Sequence, residues 1–184
     1  MKEIVGDLFK QKCDAICITT NGYVDRQGYN VMGAGVAGAA KHLWSEIPAT
    51  LGDRIMESGH QVHRLTLTVR GQPHLGNKPV PYHIVAFPTK PELVEDVDDL
   101  IPRYYKQYAD YPGPIKLPGW MGKSTTDLIM SSCQELVKLT NAMPWDRVVL
   151  PKPGCANGGL SWEQDVRPIV SNLLDDRFLI IDRR

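Results

Sequence analysis

Residues 13–47 read CDAICITTNGYVDRQGYNVMGAGVAGAAKHLWSEI and hold the clearest structural signals of the chain. Their first part, residues 13–20, is a short run with β-branched side chains, which predicts a buried strand. A polar, glycine-bearing stretch follows from Asn21 to Asn30. Residues 31–47 then begin with glycines and continue with helix formers, which predicts a loop that opens into a helix of roughly 12 residues.

The rest of the chain continues this alternation of strands and helices. The best-supported helix starts at Ser124, because an S-T-T-D capping pattern is followed by apolar residues at a spacing of three to four. This alternation predicts an α/β fold with a largely parallel sheet and helices on both faces, and the length of 184 residues favours a single domain. Further helices are predicted over residues 51–58 and 162–174, and strands over residues 64–70, 82–87, 147–150 and 178–181.

Residues 91–118 depart from this pattern, because an acidic run, ELVEDVDDL, precedes an aromatic one, YYKQYADYPGP. Prolines and tyrosines at this density predict an inserted surface element with little regular strand. Arg103 and Lys106 lie next to the tyrosines, and tyrosine rings can stack on exposed nucleic-acid bases. The alternative is a packed surface loop or a self-association patch, and the sequence leaves both open.

Composition excludes several broad classes of function. Lys and Arg together number 21, as do Asp and Glu, so the overall basic character of sequence-independent nucleic-acid binders is absent, although a local patch stays open. The four cysteines form no CxxC pair and have no histidine at zinc-finger spacing, so neither a metal nor another cofactor is expected. Free thiols, the lack of an apolar signal core in residues 1–11 and the lack of a membrane-length apolar run favour a cytoplasmic protein.

Two glycine-rich loops carry the strongest chemical signal. Residues 32–38 read MGAGVAG and residues 154–160 read GCANGGL, and each loop follows a predicted strand and precedes a predicted helix. Glycines let the backbone approach a ligand closely, and the N–H groups of a helix N-terminus favour phosphate. Because ligands of α/β proteins lie beyond the carboxyl ends of the strands, two such loops predict a diphosphate site.

Each glycine loop taken alone is weak evidence. The first resembles a GxGxxG pattern with compressed spacing, and tight helix packing is the alternative reading. A nicotinamide dinucleotide site fits poorly, because the acidic residue expected about 20 positions further on would be Glu46 or Asp53, and both lie in helical sequence.

Three polar residues lie at predicted strand ends near these loops. The pair Thr89-Lys90 directly follows the strand YHIVAFP, although a solvated loop lysine with a pKa of ~10.4 would be a poor nucleophile or base. Asp7, after Gly6, can accept from an adenine amino group, and Asn21 can bind sugar hydroxyls. Both residue types are also common in ordinary turns.

Five motifs bracket nearly the whole chain: GDLF at 6–9, TTN at 19–21, MGAGVA at 32–37, FPTK at 87–90 and GCANGGLSW at 154–162. Together, and in this order, they resemble the motifs of the macrodomain family. Within the family the set most resembles the bacterial antitoxin macrodomains that remove ADP-ribose from DNA bases. In that signature FPTK is followed by a tryptophan and then G-K-S. Here Trp120 and Gly122-Lys123-Ser124 come much later, so residues 91–118 read as an insertion.

The resemblance implies a three-layer α/β/α domain around a mixed sheet, spanning residues 1–184. It implies that Asp7 meets adenine, that Asn21 faces the distal ribose, and that the two glycine loops wrap the diphosphate and that ribose. Lys90 matches the lysine that related hydrolases use near C1″. The ligand-binding residues expected on this basis are Asp7, Asn21, Met32, Gly33, Ala34, Gly35, Val36, Cys155, Ala156, Asn157, Gly158, Gly159 and Leu160, with Lys90 as the catalytic residue.

One departure bears on the mechanism. The protein-glutamate hydrolases of this branch place an aspartate in the second loop as partner to the lysine, whereas here that position reads Gly158 after Asn157. The sequence therefore weakens a lysine–aspartate mechanism and leaves open whether Lys90 acts as a nucleophile or as an electrostatic and proton-relay group.

Four functions follow as alternatives. The leading one is an ADP-ribosyl hydrolase that removes ADP-ribose from a modified macromolecule, with DNA as a candidate, so the expected partner is ADP-ribose or an ADP-ribosylated macromolecule and not a membrane. The second is a non-catalytic reader of ADP-ribose, and the third is a phosphatase acting on ADP-ribose 1″-phosphate. The fourth is an inert structural domain whose loops only pack. The oligomeric state is not predicted.

Overall fold

The computed structural model describes residues 1–66 and 83–182. The strands in these ranges are β1 (Lys2–Val5), β2 (Ala15–Asn21), β3 (His63–Leu65), β4 (His83–Lys90), β5 (Leu93–Val94), β6 (Leu117–Pro118), β7 (Val148–Pro151) and β8 (Phe178–Asp182). The α-helices are α1 (Gly35–Leu43), α2 (Ile47–Ser58), α3 (Pro102–Tyr108), α4 (Thr126–Asn141) and α5 (Arg167–Leu173). No helix in these ranges is long and apolar enough to cross a membrane. Most of the predicted strand at residues 64–70 and the start of that at 82–87 lie outside them.

A six-stranded sheet in the order β1-β8-β7-β2-β4-β3 forms the centre of the described structure. The first five strands run parallel to their neighbours, and β3 pairs antiparallel with β4. The predicted mixed, largely parallel sheet is therefore confirmed. Because parallel strands end at the same edge, β8, β7, β2 and β4 bring their carboxyl ends together along one side of the molecule.

Alternation along the buried strands produces the two outer layers. In β2, Ala15 and Cys17 face one hydrophobic cluster, whereas Ile16 and Ile18 face the other. Helices α4 and α5 supply the first cluster, through residues such as Leu136. Helices α1 and α2 supply the second. Period-two alternation in a strand buried on both faces is what a three-layer α/β/α arrangement requires, so this expectation is also confirmed.

Prolines explain two differences from the predicted helices. The helix expected within residues 31–47 ends at Leu43, and a second helix starts at Ile47 with Pro48 in its first turn. Near the other end, a π-helical turn (Trp162–Val166) precedes α5, where Pro168 lies in the first turn. Proline lacks an N–H and its ring crowds the preceding turn, so it is tolerated at a helix start and interrupts a continuous helix.

Residues 91–121, the rim segment, fold more regularly than the sequence predicted. Its two ends pair as β5 and β6, and Gly119 N donates to Glu92 O at 2.8 Å. Helix α3 lies between them. A small cluster of its own holds the segment together, formed by Val94, Leu100, Ile115 and Met121. These apolar residues are too widely spaced to show a helical or strand period, which is why the sequence pattern missed the order.

Candidate functional site

A cavity of about 640 Å³ lies at the carboxyl edge of the sheet. Its lining comes from the ends of β2, β4, β7 and β8, from the loop before α1, from the loop after β7, and from the rim segment. This volume is within the usual range for small-molecule sites, and the position is the one at which α/β folds bind ligands. We therefore take this cavity as the candidate functional site.

The first glycine loop lines the cavity with residues 33–37. Helix α1 starts here, and its N-cap residue, Ala34, has no side chain that can accept from the first-turn N–H groups. Gly35 has a φ of 61°, a conformation that favours glycine. Uncapped first-turn N–H groups and the positive end of the helix dipole favour an anion at this point.

The second glycine loop lines the opposite wall with residues 154–158. It is held in shape by Leu160 N, which donates to Gly154 O at 3.1 Å, and by Ser124 N, which donates to Gly158 O at 2.9 Å. Gly154 and Gly159 have φ values of 74° and 79°. The backbone path of this loop therefore depends on glycine at two positions and on an anchor from Ser124.

The two loops meet across the cavity. Asn157 Nδ2 lies 3.2 Å from the point where a Cβ of Gly35 would be. One ligand can therefore touch both loops at once, which is the juxtaposition that the sequence predicted. Backbone N–H groups and glycine surfaces on both walls suit the oxygens of a diphosphate.

We expect Gly158→Ala to destabilise the protein by about 1–3 kcal/mol, as overpacking generally does. A methyl group at this position would overlap Ser124 Oγ and Gly154 O, so the loop has to move. The change is measurable as a lower urea midpoint. Gly113→Ala is the matched control, since nothing lies within 4 Å of a Cβ added there. An unchanged midpoint for Gly158→Ala would contradict the loop packing described above.

Asn21 ends β2 and lies on the cavity wall in a buried position. Its Nδ2 donates to Val31 O at 2.8 Å, and its Oδ1 accepts from Tyr23 N at 2.9 Å. Each group keeps one further donor or acceptor position, so the side chain can still bind a hydroxyl. Its first role is to fix the path of the chain that leads to the first glycine loop.

Lys90 lies half-buried at the end of β4, with Nζ donating to Trp120 O at 3.2 Å. Burial, helped by the nearby charge of Arg103, lowers the pKa of Lys90 from 10.5 to about 8. About half of this amine is therefore unprotonated near pH 8, and about one tenth at pH 7. An unprotonated amine can act as a base or nucleophile, which the ordinary surface lysine cannot.

Cys155 brings a thiol to the cavity lining. Burial raises its pKa to about 11 against the opposing charge of Lys152, and the carboxylates of Asp165 and Asp182 add to the rise. Its Sγ donates to Pro153 O at 3.4 Å. The thiol thus stays protonated and acts as a small packing group, because only the thiolate is a good nucleophile.

Four of the predicted site residues do not contribute to this lining in the described part of the chain. Asp7 caps its own short helical turn, with Oδ1 accepting from Phe9 N at 2.9 Å, although Gly6 before it bonds to cavity residue Asp182. The other three are adjacent in sequence to lining residues but do not line the cavity themselves, and all four stay predictions as ligand contacts. These three are Met32, Gly159 and Leu160.

Other lining residues were not predicted as site residues. Lys152 follows β7 and Asp182 ends β8, and their position directly after apolar runs was a usable signal. They pair at 2.7 Å between Lys152 Nζ and Asp182 Oδ2. The rim segment adds three more, which are Arg103, Tyr104 and Trp120. Arg103 and the tyrosines beside it were predicted only as a candidate edge for nucleic acid, and Trp120 only as part of the family signature, because their place in the cavity depends on how the segment folds back.

The architecture and its cavity define a macrodomain fold. No protein-family model and no curated protein matches the sequence. Among solved structures, the chain is similar to the macrodomains of Mycobacterium tuberculosis DarG and of Thermus aquaticus DarG. Each has a TM-score of 0.64 and 19% identity, over 98% of this chain and 95% of the other. It is also similar to Thermosipho africanus DarTG in complex with ADP-ribose, with a TM-score of 0.69 and 17% identity over 97% of this chain and 40% of that longer one.

Proposed function

We propose that this protein is an ADP-ribosyl hydrolase that releases ADP-ribose from a modified macromolecule. The observation that carries the proposal is Lys90, whose lowered pKa and half-buried position place a reactive amine on the same cavity as the two glycine loops. The similarity to a DarTG structure that contains ADP-ribose supports this choice of ligand. In this proposal the loops hold the diphosphate, and Asn21 and Lys90 face the distal ribose.

The proposed reaction breaks the bond between C1″ and the attached group. A water oxygen forms the new bond to C1″ as the bond from C1″ to the attached group breaks, and the neutral amine of Lys90 accepts the proton from that water. The leaving group takes the bonding electron pair and a proton from solvent, and the ammonium of Lys90 then returns its proton to solvent. Positive charge develops at C1″ in such reactions and is stabilised by nearby negative charge. The bound diphosphate supplies that charge, so a carboxylate in the second loop, where Gly158 stands, is not required.

The test is release of ADP-ribose from defined substrates. Purified protein is incubated with single-stranded DNA that is ADP-ribosylated on thymidine or guanosine, with ADP-ribosylated protein, and with ADP-ribose 1″-phosphate. We expect turnover of the modified DNA, because the sequence motifs resemble those of the antitoxin macrodomains that act on DNA bases. Tight binding of ADP-ribose without turnover of any substrate would instead favour a non-catalytic reader. The supporting observation for a reader is that, among the described residues that line the cavity, the one carboxylate is Asp182, three strands away from Lys90.

The pH dependence follows from the proposed role of Lys90. Below its pKa the amine is protonated and cannot accept a proton, so kcat/KM is expected to rise with pH and to level off above about 8. The bound diphosphate favours the protonated amine, so the inflection of kcat lies higher than that of kcat/KM. Initial rates between pH 6 and pH 10 measure both. A rate that falls as pH rises through 8 would show that the cationic lysine is the active form.

We also propose a reducing, cytoplasmic setting. The four cysteines form no disulfide, and burial raises the pKa of Cys133 to about 12. Thiols in this state are typical of cytosolic proteins.

A further inference from the structure

The rim segment closes one end of the cavity. Arg103 and Tyr104 from α3, and Trp120 from the turn after β6, line the same cavity as Lys90. The Tyr104 and Trp120 rings meet edge to face at 5.4 Å, and the Arg103 guanidinium lies 4.9 Å from the centre of the Tyr104 ring. Because Lys90 Nζ donates to Trp120 O, these side chains adjoin the proposed catalytic amine.

The strand order indicates which part of a bound ligand lies at this end of the cavity. Asp182 ends β8, and Lys90 ends β4, three strands away across β7 and β2. At ~4.8 Å per strand the two ends lie about 14 Å apart. The glycine loops follow β7 and precede α1, between these limits, so a diphosphate held there leaves Arg103 beyond the distal ribose. A group attached to C1″ extends towards Arg103.

The positive charges of Arg103 and Lys90 at this end of the cavity are not balanced by a neighbouring carboxylate among the described lining residues. Among the residues described, Asp182 is the one carboxylate in the cavity lining, and it already pairs with Lys152. Arg103 is exposed and forms no ion pair within the ranges 1–66 and 83–182. Its charge is close enough to Lys90 to lower the pKa of that amine. An arginine kept near another cation, without a carboxylate, suits an incoming anion.

We propose that Arg103 binds a phosphate carried by the group attached to C1″, next to the aromatic wall of Tyr104 and Trp120. The proposal rests on the function proposed above and adds a determinant of substrate choice. The planar guanidinium forms paired, charge-assisted hydrogen bonds with phosphate oxygens. The phosphate has two sources, the backbone of a modified nucleic acid or the ester of ADP-ribose 1″-phosphate, and the experiment separates them.

The experiment measures binding in a Lys90→Met background, which removes turnover. Four ligands are compared by calorimetry: ADP-ribose, ADP-ribose 1″-phosphate, ADP-ribosylated thymidine without phosphate at its 3′ or 5′ position, and a single-stranded oligonucleotide with the same modified thymidine. Two of these ligands carry a phosphate beyond C1″: ADP-ribose 1″-phosphate and the modified oligonucleotide. Adding Arg103→Gln is expected to weaken binding of the one whose phosphate Arg103 contacts by roughly tenfold. Binding of ADP-ribose and of the modified nucleoside should stay within about twofold. Lys106→Gln is the matched control, an exposed cation on the same helix that does not line the cavity.

The pattern of losses identifies the phosphate. A loss of affinity confined to the oligonucleotide assigns Arg103 to a nucleic-acid backbone. In that case the slope of log K for binding against log salt concentration should also become shallower by about one. A loss confined to ADP-ribose 1″-phosphate assigns Arg103 to the ester. Equal effects on all four ligands, or no effect on any, overturn the proposal. If phosphate binding depends on Arg103 but Lys90-intact protein hydrolyses none of the substrates, the subsite stands and the hydrolase proposal fails.

Discussion

Lys90→Met is expected to lower kcat for release of ADP-ribose by at least about 100-fold, the range typical for loss of a general base. Methionine matches the length and apolar character of the lysine stem, so the half-buried position stays filled. The affinity for ADP-ribose should change by less than about fivefold, because the glycine loops hold the diphosphate. Steady-state rates and calorimetry on the same preparation measure the two effects separately.

Two variants sharpen this result. Lys123→Met is the control, since this exposed lysine donates to Asp98 O at 2.6 Å and lies outside the cavity lining. Lys90→Arg keeps the positive charge but cannot accept a proton at neutral pH. It is expected to be as inactive as Lys90→Met. Activity retained by the arginine variant would show that charge alone is required, and equal turnover by wild type and Lys90→Met would remove Lys90 from the mechanism.

Gly33→Val is expected to weaken ADP-ribose binding by at least about tenfold, or about 1.4 kcal/mol. Gly33 lines the cavity, and nothing lies within 4 Å of a Cβ added there. The new side chain therefore projects into the cavity instead of into the protein. Thermal stability should be unchanged or slightly higher, since φ at Gly33 is not positive and glycine replacement restricts the unfolded chain.

Gly113→Val provides a matched comparison for this effect. Gly113 also has open space around an added Cβ and a φ outside the positive range, but it lies in the rim segment away from the cavity lining. Gly113→Val should likewise leave stability unchanged or slightly higher, and it should leave ADP-ribose binding unchanged. If Gly33→Val binds ADP-ribose as well as wild type does, then the ligand does not occupy this part of the cavity, and the proposed placement of the diphosphate is wrong.

The parts of the fold that the sequence predicted are those set by local rules. β2 and β7 were predicted from their apolar runs. Both glycine loops were predicted because their glycines lie between a predicted strand and a predicted helix. The start of α4 was predicted close to its position: the S-T-T-D pattern placed it at Ser124, and the cap is the next residue, Thr125, with Oγ1 accepting from Leu128 N at 3.3 Å. The meeting of the two glycine loops at one edge of the sheet was predicted because parallel strands have their carboxyl ends at the same edge.

The features that the sequence missed depend on contacts between distant parts of the chain. Arg103 reaches the cavity only because the rim segment folds back onto the end of β4. The lowered pKa of Lys90 arises from burial beneath that segment, and the sequence shows only a lysine after a strand. Asp7 was correctly placed in a turn, yet the direction of its carboxylate depends on the turn that it caps.

The separate hydrophobic cluster of the rim segment has a consequence for how this fold diversifies. Its two ends lie side by side where β5 pairs with β6, and Gly119 is so close to Pro91 O that no larger residue fits. A unit with adjoining ends and its own interior can be lengthened, trimmed or exchanged during evolution while the sheet and both glycine loops stay intact. Selection for a new substrate can therefore act on this unit alone, with the machinery that grips the common part of the ligand inherited unchanged.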